Sequence, residues 1–588
     1  MPAKLRTAAH IAFSRTGRAR AAWAAAVLAV LAALAITADT TGWIVRSYSP
    51  LPFWDQWDVV ADVAKIKAGT FRVGDMIAQH GEHRIVFPRL IFYADHLLGR
   101  GQGLINLGAI AIVQLLHAVL LTRILGPLRR PGLVAAAAAV VALLTFLGQW
   151  ENLVWGFQVQ FVAVYLLATG GYALLARAVQ ARGGARRTAF AGCCACLIVA
   201  VFCMANGLAA AGLAVPLALA LRAPRWMIGA LAGLTALAAA LYLRDYASVS
   251  DHSTLAYALA HPLDYLTYVA SYAGNIAGLL AHRPPTAAFH APLAAAPLLL
   301  GVAGLSLAAG ALIREARGRF ADPTGAVLLA VMAFVMASAA LTALGRLNFG
   351  VDQALAPRYQ TSGAVFWAGQ IIYWTRAAGH ASARAIVAAA TAVLLGLLIW
   401  SQARLGPELD AHGARMRAAE DSLLSRVRDD TAIGRVSFRP GEAWERAAIL
   451  DRYNLSIFAK PEADWPGREL KTLTKIAPTG ACIGAFDTLS VPLTNAPANA
   501  ASAGWAWDVA HDSRPRRIVM TNARGIVVGF GRTGVKRPDV AAARPEVDSP
   551  AAGWSGFAHV DGGEVTAFAL LADGAACALG VRPGIPRG

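Results

Sequence analysis

Charge is scarce in this chain. Asp, Glu, Lys and Arg make up 15% of 588 residues, against about 25% in an average soluble domain. Acids are the scarcer sign, 35 against 53 bases, for a formal net charge of +18. That balance excludes both an ordinary soluble globule and a charged disordered chain. Cysteine is scarce too, with six in all, which excludes a disulfide-dense secreted scaffold. Cys193, Cys194, Cys196 and Cys203 lie in one apolar run with no histidine or carboxylate beside them, so they read as small buried hydrophobes rather than a metal site. No zinc spacing and no internal repeat of roughly 20–50 residues is present. No convincing small-residue cleavage site precedes Trp43. The basic head (Lys4, Arg6, Arg15, Arg18, Arg20) and the run at 21–38 therefore read as an uncleaved first span.

What the chain does have is grease: 57% hydrophobic residues and a mean hydropathy of +0.50. Eleven apolar runs approach the roughly 20 residues that cross a bilayer, at 21–38, 104–121, 133–147, 159–175, 189–204, 208–221, 227–243, 291–313, 325–344, 363–374 and 385–400. With the N-terminus cytoplasmic, every loop of clustered arginines falls inside and every loop of acids, amides and tryptophans falls outside. Topology thus accounts for the basic excess without nucleic acid. The region 244–290 reads as an outer loop with an amphipathic or re-entrant helix near 265–280. The expected fold is a mainly α polytopic membrane domain over 1–401, a helical linker over 402–475 and a periplasmic β-sandwich over 476–588, in a bacterial inner membrane. The strand runs are RRIVMT, GIVVGFG, GWSGFAHV, EVTAFALLA and AACALGV. Cys482 and Cys577 lie near the ends of that domain, where an extracytoplasmic disulfide would tie first strand to last.

Four polar islands interrupt the grease. FWDQWD at 53–58 sets Asp55 and Asp58 three apart, on one face of a helix. Such a pair suits a general base for an acceptor hydroxyl, a divalent-cation site (Mg or Mn), or simply a wet loop with interfacial tryptophans. HGEHR at 80–84 adds Glu82, His83 and Arg84, with Arg89 beyond, the residue types that act as acid, base or phosphate ligand. QWENLVWGFQ at 149–158 packs Gln149, Glu151, Asn152 and Gln158 between indoles, a density that fits polyol recognition or an interfacial belt. The fourth, Arg346 with Arg358 and Tyr359, carries positive charge on the side that should be poor in it, which asks for an anion such as a lipid-linked phosphate, or a salt bridge.

A polytopic chain with paired acids in the first loop after span one resembles the GT-C superfamily of membrane glycosyltransferases. The WDQWD, EHR, ENLVWGFQ and APRY elements look like those of bacterial membrane proteins in that vicinity. The resemblance implies transfer of a sugar from a polyprenyl-phosphate carrier to a glycan or lipid acceptor. It implies Asp55 as base, with Asp58 second, and Arg346 and Arg358 at the donor phosphate; Glu82, by its residue type, is a further catalytic candidate. The family's adjacent acidic pair is here a pair three apart. Two other classes remain open. A glycolipid flippase would need polar groups within spans, for which Gln114 and His117 are the main candidates. A non-catalytic envelope-assembly partner would tolerate loss of the loop acids.

Overall fold

The computed structural model describes residues 2–248, 253–281, 295–490, 499–560 and 562–584, with side chains from residue 17 onward. The chain divides into two compact units: residues 1–46, 72–91 and 106–409 in the first, and 47–71, 92–105 and 410–588 in the second. The motif loop is therefore split, with FWDQWD in the second unit and HGEHR in the first.

Among the described residues nine helices are long and apolar enough to cross a membrane: Ala19–Ser47, Leu104–Leu125, Pro131–Val154, Gly156–Gln180, Gly183–Val201, Arg225–Leu243, Ala296–Arg317, Pro323–Phe349 and Ala381–Leu424. The other two expected spans are also helices. Gly207–Ala220 has 14 residues, about 21 Å at the α-helical rise and short of a hydrocarbon core of roughly 30 Å. Gln360–Ala377 is less apolar, and buries Gln360, Thr361, Ser362 and Gln370. It packs against protein rather than lipid, so polar side chains find partners there, as when Gln370 Nε2 donates to the Gly304 carbonyl at 2.9 Å. The first four residues of the expected eighth span, 291–294, and the loop 282–290 lie outside the described residues.

Small side chains set the spacing in the first unit. Ala139, Ala142, Ala168, Ala210, Ala214, Ala339, Ala343 and Ala364 are all buried, which lets helices approach closely without a hydrophobic driving force. A close approach joins the expected amphipathic segment, a helix at Pro262–Ala273, to Ala296–Arg317. A Cβ on Gly274 would stand 1.9 Å from the Pro297 carbonyl oxygen, and one on Gly301 would stand 1.8 Å from that of Ala270. Two glycines thus let backbone touch backbone.

Two helix ends and one helix start meet at Arg376. Arg376, at the end of Gln360–Ala377, donates to the Leu125 carbonyl and pairs with Asp322 at 3.4 Å. Asp322 caps Pro323–Arg346 by accepting the Thr324 N–H at 3.0 Å. The Arg376 and Leu125 ends and the Asp322 cap thus share one side of this unit, with Gln360 and Arg346 at the opposite ends of their helices.

The second unit is built on one seven-stranded antiparallel sheet in the order β1-β2-β5-β4-β3-β6-β7. The strands are β1 Cys482–Ser490, β2 Asn499–Asp508, β3 Arg517–Asn522, β4 Val527–Val535, β5 Gly553–His559, β6 Val565–Leu570 and β7 Ala576–Arg582. The expected two-sheet sandwich is instead a single, nearly closed sheet. Register shifts in four of the ladders curl it, and its edge strands meet. The Cys482–Cys577 disulfide joins β1 to β7 with Cα atoms 6.1 Å apart, and Arg582 Nε donates to the Phe486 carbonyl at 2.6 Å. Polar helices precede the sheet, at Gly406–Leu424 and Pro440–Arg452 as the sequence predicts. Asp421 holds Arg517 of β3 at 2.9 Å and Arg532 of β4 at 3.4 Å.

Candidate functional site

Within the first unit, three of the polar islands gather at the end away from the arginine-bearing loops. A tight turn starts the arrangement. His80 and His83 exchange backbone hydrogen bonds of 2.7 and 2.9 Å around Gly81, whose φ of +53° suits glycine. That turn aims Glu82 at Arg346, with an Oε1 to Nη2 distance of 2.9 Å. His83 Nδ1 accepts the Ala205 N–H at 3.3 Å, and the His80 ring lies 5.2 Å from Phe157. The loop is thereby tied to both the 205–207 turn and the 149–158 island.

Arg84 and Arg89 are buried, and both donate to main-chain carbonyls. Arg84 donates from Nε to the Tyr242 carbonyl at 2.7 Å, from Nη1 to Ile77 at 2.8 Å and from Nη2 to Arg244. Arg89 Nη1 donates to Met76 and Ala78 at 3.0 and 2.7 Å. Both arginines thus answer carbonyls left over at helix and loop ends.

The 149–158 and 345–360 islands interlock. Glu151 meets Arg358 at 3.2 Å, and Gln353 accepts from the same guanidinium at 3.2 Å. Asn152 Nδ2 donates to the Arg358 carbonyl at 2.7 Å and to Thr361 Oγ1 at 2.8 Å. Gln149 Oε1 accepts from Thr361 at 2.6 Å and from Gln114 at 2.9 Å. Tyr359 is buried, and its carbonyl accepts from Asn275 Nδ2 at 2.8 Å. Gln158 is buried with an Oε1 that meets no protein donor among the described residues.

A further buried residue feels the same arginines, and the sequence did not single it out. Tyr268, on the Pro262–Ala273 helix, is 0% exposed, and its hydroxyl has no hydrogen-bond partner among the described residues. Burial pushes its pKa up, Tyr359 adds to that, and the charges of Arg358 and Arg346 pull against it. Both arginines therefore act on one hydroxyl, which stays protonated at neutral pH and ready to donate. Arg358 holds its charge firmly. Burial opposes it, but Tyr359 and Glu151 outweigh burial and keep its pKa above the usual arginine value.

No family model matches the chain, and no curated protein matches it. The site's chemistry has to be read from its own groups: two guanidiniums, each bonded to a glutamate, and a buried phenol in the field of both. A guanidinium offers five N–H donors, so one carboxylate does not exhaust it. The arrangement suits an oxyanion that shares the arginines with the glutamates. Among the described residues no three His, Cys, Asp or Glu side chains gather to hold a metal ion. A divalent cation here would need oxygen ligands from a phosphate as well.

Asp55 and Asp58 belong to the second unit. Trp54 adopts a left-handed φ of +49°, its N–H donates to the Val436 carbonyl at 2.8 Å and its ring meets Phe438 edge-on at 3.6 Å. The helix Gln56–Lys67 follows, with Asp55 at its N-cap position. Trp57 is buried and donates to Val436 at 3.2 Å, and Asp58 pairs with Arg446 at 2.6 Å. Asp58 thus helps seat this helix on Pro440–Arg452.

Proposed function

We propose that the chain is a membrane glycosyltransferase that moves a sugar from a polyprenyl-phosphate carrier to a glycan or lipid acceptor. The polar end of the first unit faces the periplasm, the arginine-bearing end faces the cytoplasm of a bacterial inner membrane, and the sheet domain is periplasmic. The observation that carries this reading is the Tyr268 hydroxyl, buried, without a protein partner among the described residues, and under the influence of both Arg346 and Arg358.

In such a transfer the acceptor oxygen attacks the anomeric carbon, the bond from that carbon to the phosphate oxygen breaks, and the phosphate leaves with the electron pair. Negative charge grows on the departing oxygen. Arg346, Arg358 and Tyr268 supply N–H and O–H donors for it. Apolar helices beside them suit the carrier's hydrocarbon chain. The acceptor must lose a proton. The resemblance nominates Asp55 for that step, and the geometry beside Arg346 nominates Glu82. Asp58, bonded to Arg446, supports the segment that carries Asp55.

The test is the envelope glycan composition of cells carrying Arg346→Ala, Arg358→Ala, Asp55→Asn or Glu82→Gln at normal protein level. Loss of a glycosylated product in the arginine variants supports transfer, and the two acid variants identify the base. Product of unchanged amount and structure in both arginine variants overturns the assignment. Accumulation of finished glycolipid on the cytoplasmic leaflet would indicate a flippase instead.

A further inference from the structure

No acidic residue occurs between Glu151 and Asp245, and that stretch carries six arginines: Arg177, Arg182, Arg186, Arg187, Arg222 and Arg225. They lie at the end of the helix Val159–Gln180, at the start of Gly183–Val201 and in the turn that leads into Arg225–Leu243. Five are exposed, and Arg186 is half-buried with its Nε donating to the Ala181 carbonyl at 2.9 Å. Among the described residues none of the six pairs with a carboxylate. Loop orientation accounts for positive charge at this end of the first unit. It does not account for the charge being gathered.

A ring contact gathers it. Phe190 and Trp226 meet edge-on with centroids 5.0 Å apart, which sets Gly183–Val201 against the first turn of Arg225–Leu243. Arg186 and Arg187 stand four and three residues before Phe190, on its side of the helix, and Arg225 adjoins Trp226. Phe190 is buried, whereas Trp226 is 52% exposed. A Cβ on Gly183, Gly184 or Gly229 would meet nothing within 4 Å, so these positions are open. Further along the same two helices the exposed side chains are aliphatic: Ile198 on one, Leu237 and Leu241 on the other. Guanidiniums, then an indole, then aliphatic side chains match the phosphate, ester region and acyl chains of a phospholipid. A free phosphate would use only the first of these. Arg222 also holds a φ of +54°, a conformation that glycine takes freely and arginine takes at a cost.

We infer that this corner of the first unit binds an anionic phospholipid, with its phosphate on Arg187, Arg222 and Arg225, its ester region on Trp226 and its chains along the two helices. The inference goes beyond the transferase reading and stands whether or not the chain moves a sugar.

The experiment titrates the full chain in detergent with dioleoyl phosphatidylglycerol or dioleoyl phosphatidylcholine and counts retained lipid by native mass spectrometry. Saturable retention of phosphatidylglycerol in preference to phosphatidylcholine is expected. Each arginine near an anionic headgroup is worth roughly fivefold. Arg222→Gly, which suits the backbone and so keeps the fold, should therefore cut the preference about fivefold, and the Arg187→Ser, Arg222→Gly, Arg225→Ser variant about 100-fold. Arg314→Ser, Arg317→Ser removes two exposed arginines from the end of Ala296–Arg317 and should leave the preference as it is. The inference is overturned if the two lipids are retained equally, or if Arg222→Gly with an unchanged melting temperature keeps the full preference. It is also overturned if the Arg314, Arg317 variant loses as much as the triple variant, since diffuse charge would then suffice. Displacement of the lipid by millimolar inorganic phosphate would overturn it too, by making this a free-phosphate site.

Discussion

Arg346 and Glu82 stand 264 positions apart in the chain and meet at 2.9 Å. Their side chains are each 29% exposed, and a pair that wet adds only about 0–1 kcal/mol to stability. Stability alone is a weak reason to carry a guanidinium and a carboxylate into an apolar bundle. Glu82→Gln is therefore expected to shift the melting temperature little. Arg346→Ala is expected to lower the transfer rate by about 10²–10³, the usual effect of removing one preorganised donor to a developing oxyanion. Turnover and thermal melting on the same preparations check the split. Equal losses in both would make the pair a structural strut.

The close contact of the Pro262–Ala273 helix with Ala296–Arg317 fixes where Tyr268 sits. Gly301→Val places a branched side chain where even a Cβ would come 1.8 Å from the Ala270 oxygen. A cost of about 3 kcal/mol is expected from the overpacking, with loss of activity as Tyr268 moves. Gly229→Ala meets nothing within 4 Å and is the matched control, for which melting temperature and activity should be unchanged.

The Cys482–Cys577 bond closes a loop with a sequence separation of 95. By the chain-entropy account such a bridge contributes about 4.7 kcal/mol through the unfolded state. The Cys482→Ser, Cys577→Ser double variant should therefore melt its sheet at lower temperature and lose protease resistance between β1 and β7, and the wild-type chain should match it once reduced. A sheet equally stable with and without the bond would show that the β1–β7 contact closes it unaided.

Much of this architecture was legible in the sequence. Every expected span falls on a helix apart from a few residues at the ends of some spans, because a long apolar run has few other ways to satisfy its backbone. The runs for β3 to β7 alternate strongly enough to be named. β1 and β2 were not named, since NAASAGWAWD is mostly Ala, Ser and Gly with little β-preference. Loop polarity also foretold that Glu82, Glu151, Arg346 and Arg358 would share one end. It did not reveal that Arg84 and Arg89 would serve main-chain carbonyls, because charge type does not say which acceptors a helix end leaves open. Tyr268 was invisible for a related reason. In YLTYVASYAGN nothing separates a packing tyrosine from one whose hydroxyl is left without a partner.

The sheet should be acid-sensitive through Asp508. This buried carboxylate accepts the Ala572 N–H at 2.9 Å and bonds His511 Nδ1 at 2.9 Å. Burial alone would raise its pKa, but the hydrogen bonds from Ala572 and His511 outweigh burial and hold it below the ordinary value. A depressed folded pKa means the stabilisation is present above the unfolded value, near 3.9, and is lost as pH falls through the folded one. Unfolding curves should thus steepen in acid below about pH 4, and Asp508→Asn should flatten that dependence while lowering stability at neutral pH. An identical pH profile in the variant would remove Asp508 from the explanation.

On the proposed function, Arg346, Arg358 and Tyr268 are predicted to hold a lipid-linked phosphate. Electron cryomicroscopy of the full chain in nanodiscs with undecaprenyl phosphate tests it most directly. The predicted result is phosphate density within hydrogen-bond distance of both guanidiniums and the Tyr268 hydroxyl, lost in the Arg346→Ala, Arg358→Ala double variant. Phosphate density elsewhere in the chain, with Arg346 and Arg358 still closed on Glu82 and Glu151, would contradict it.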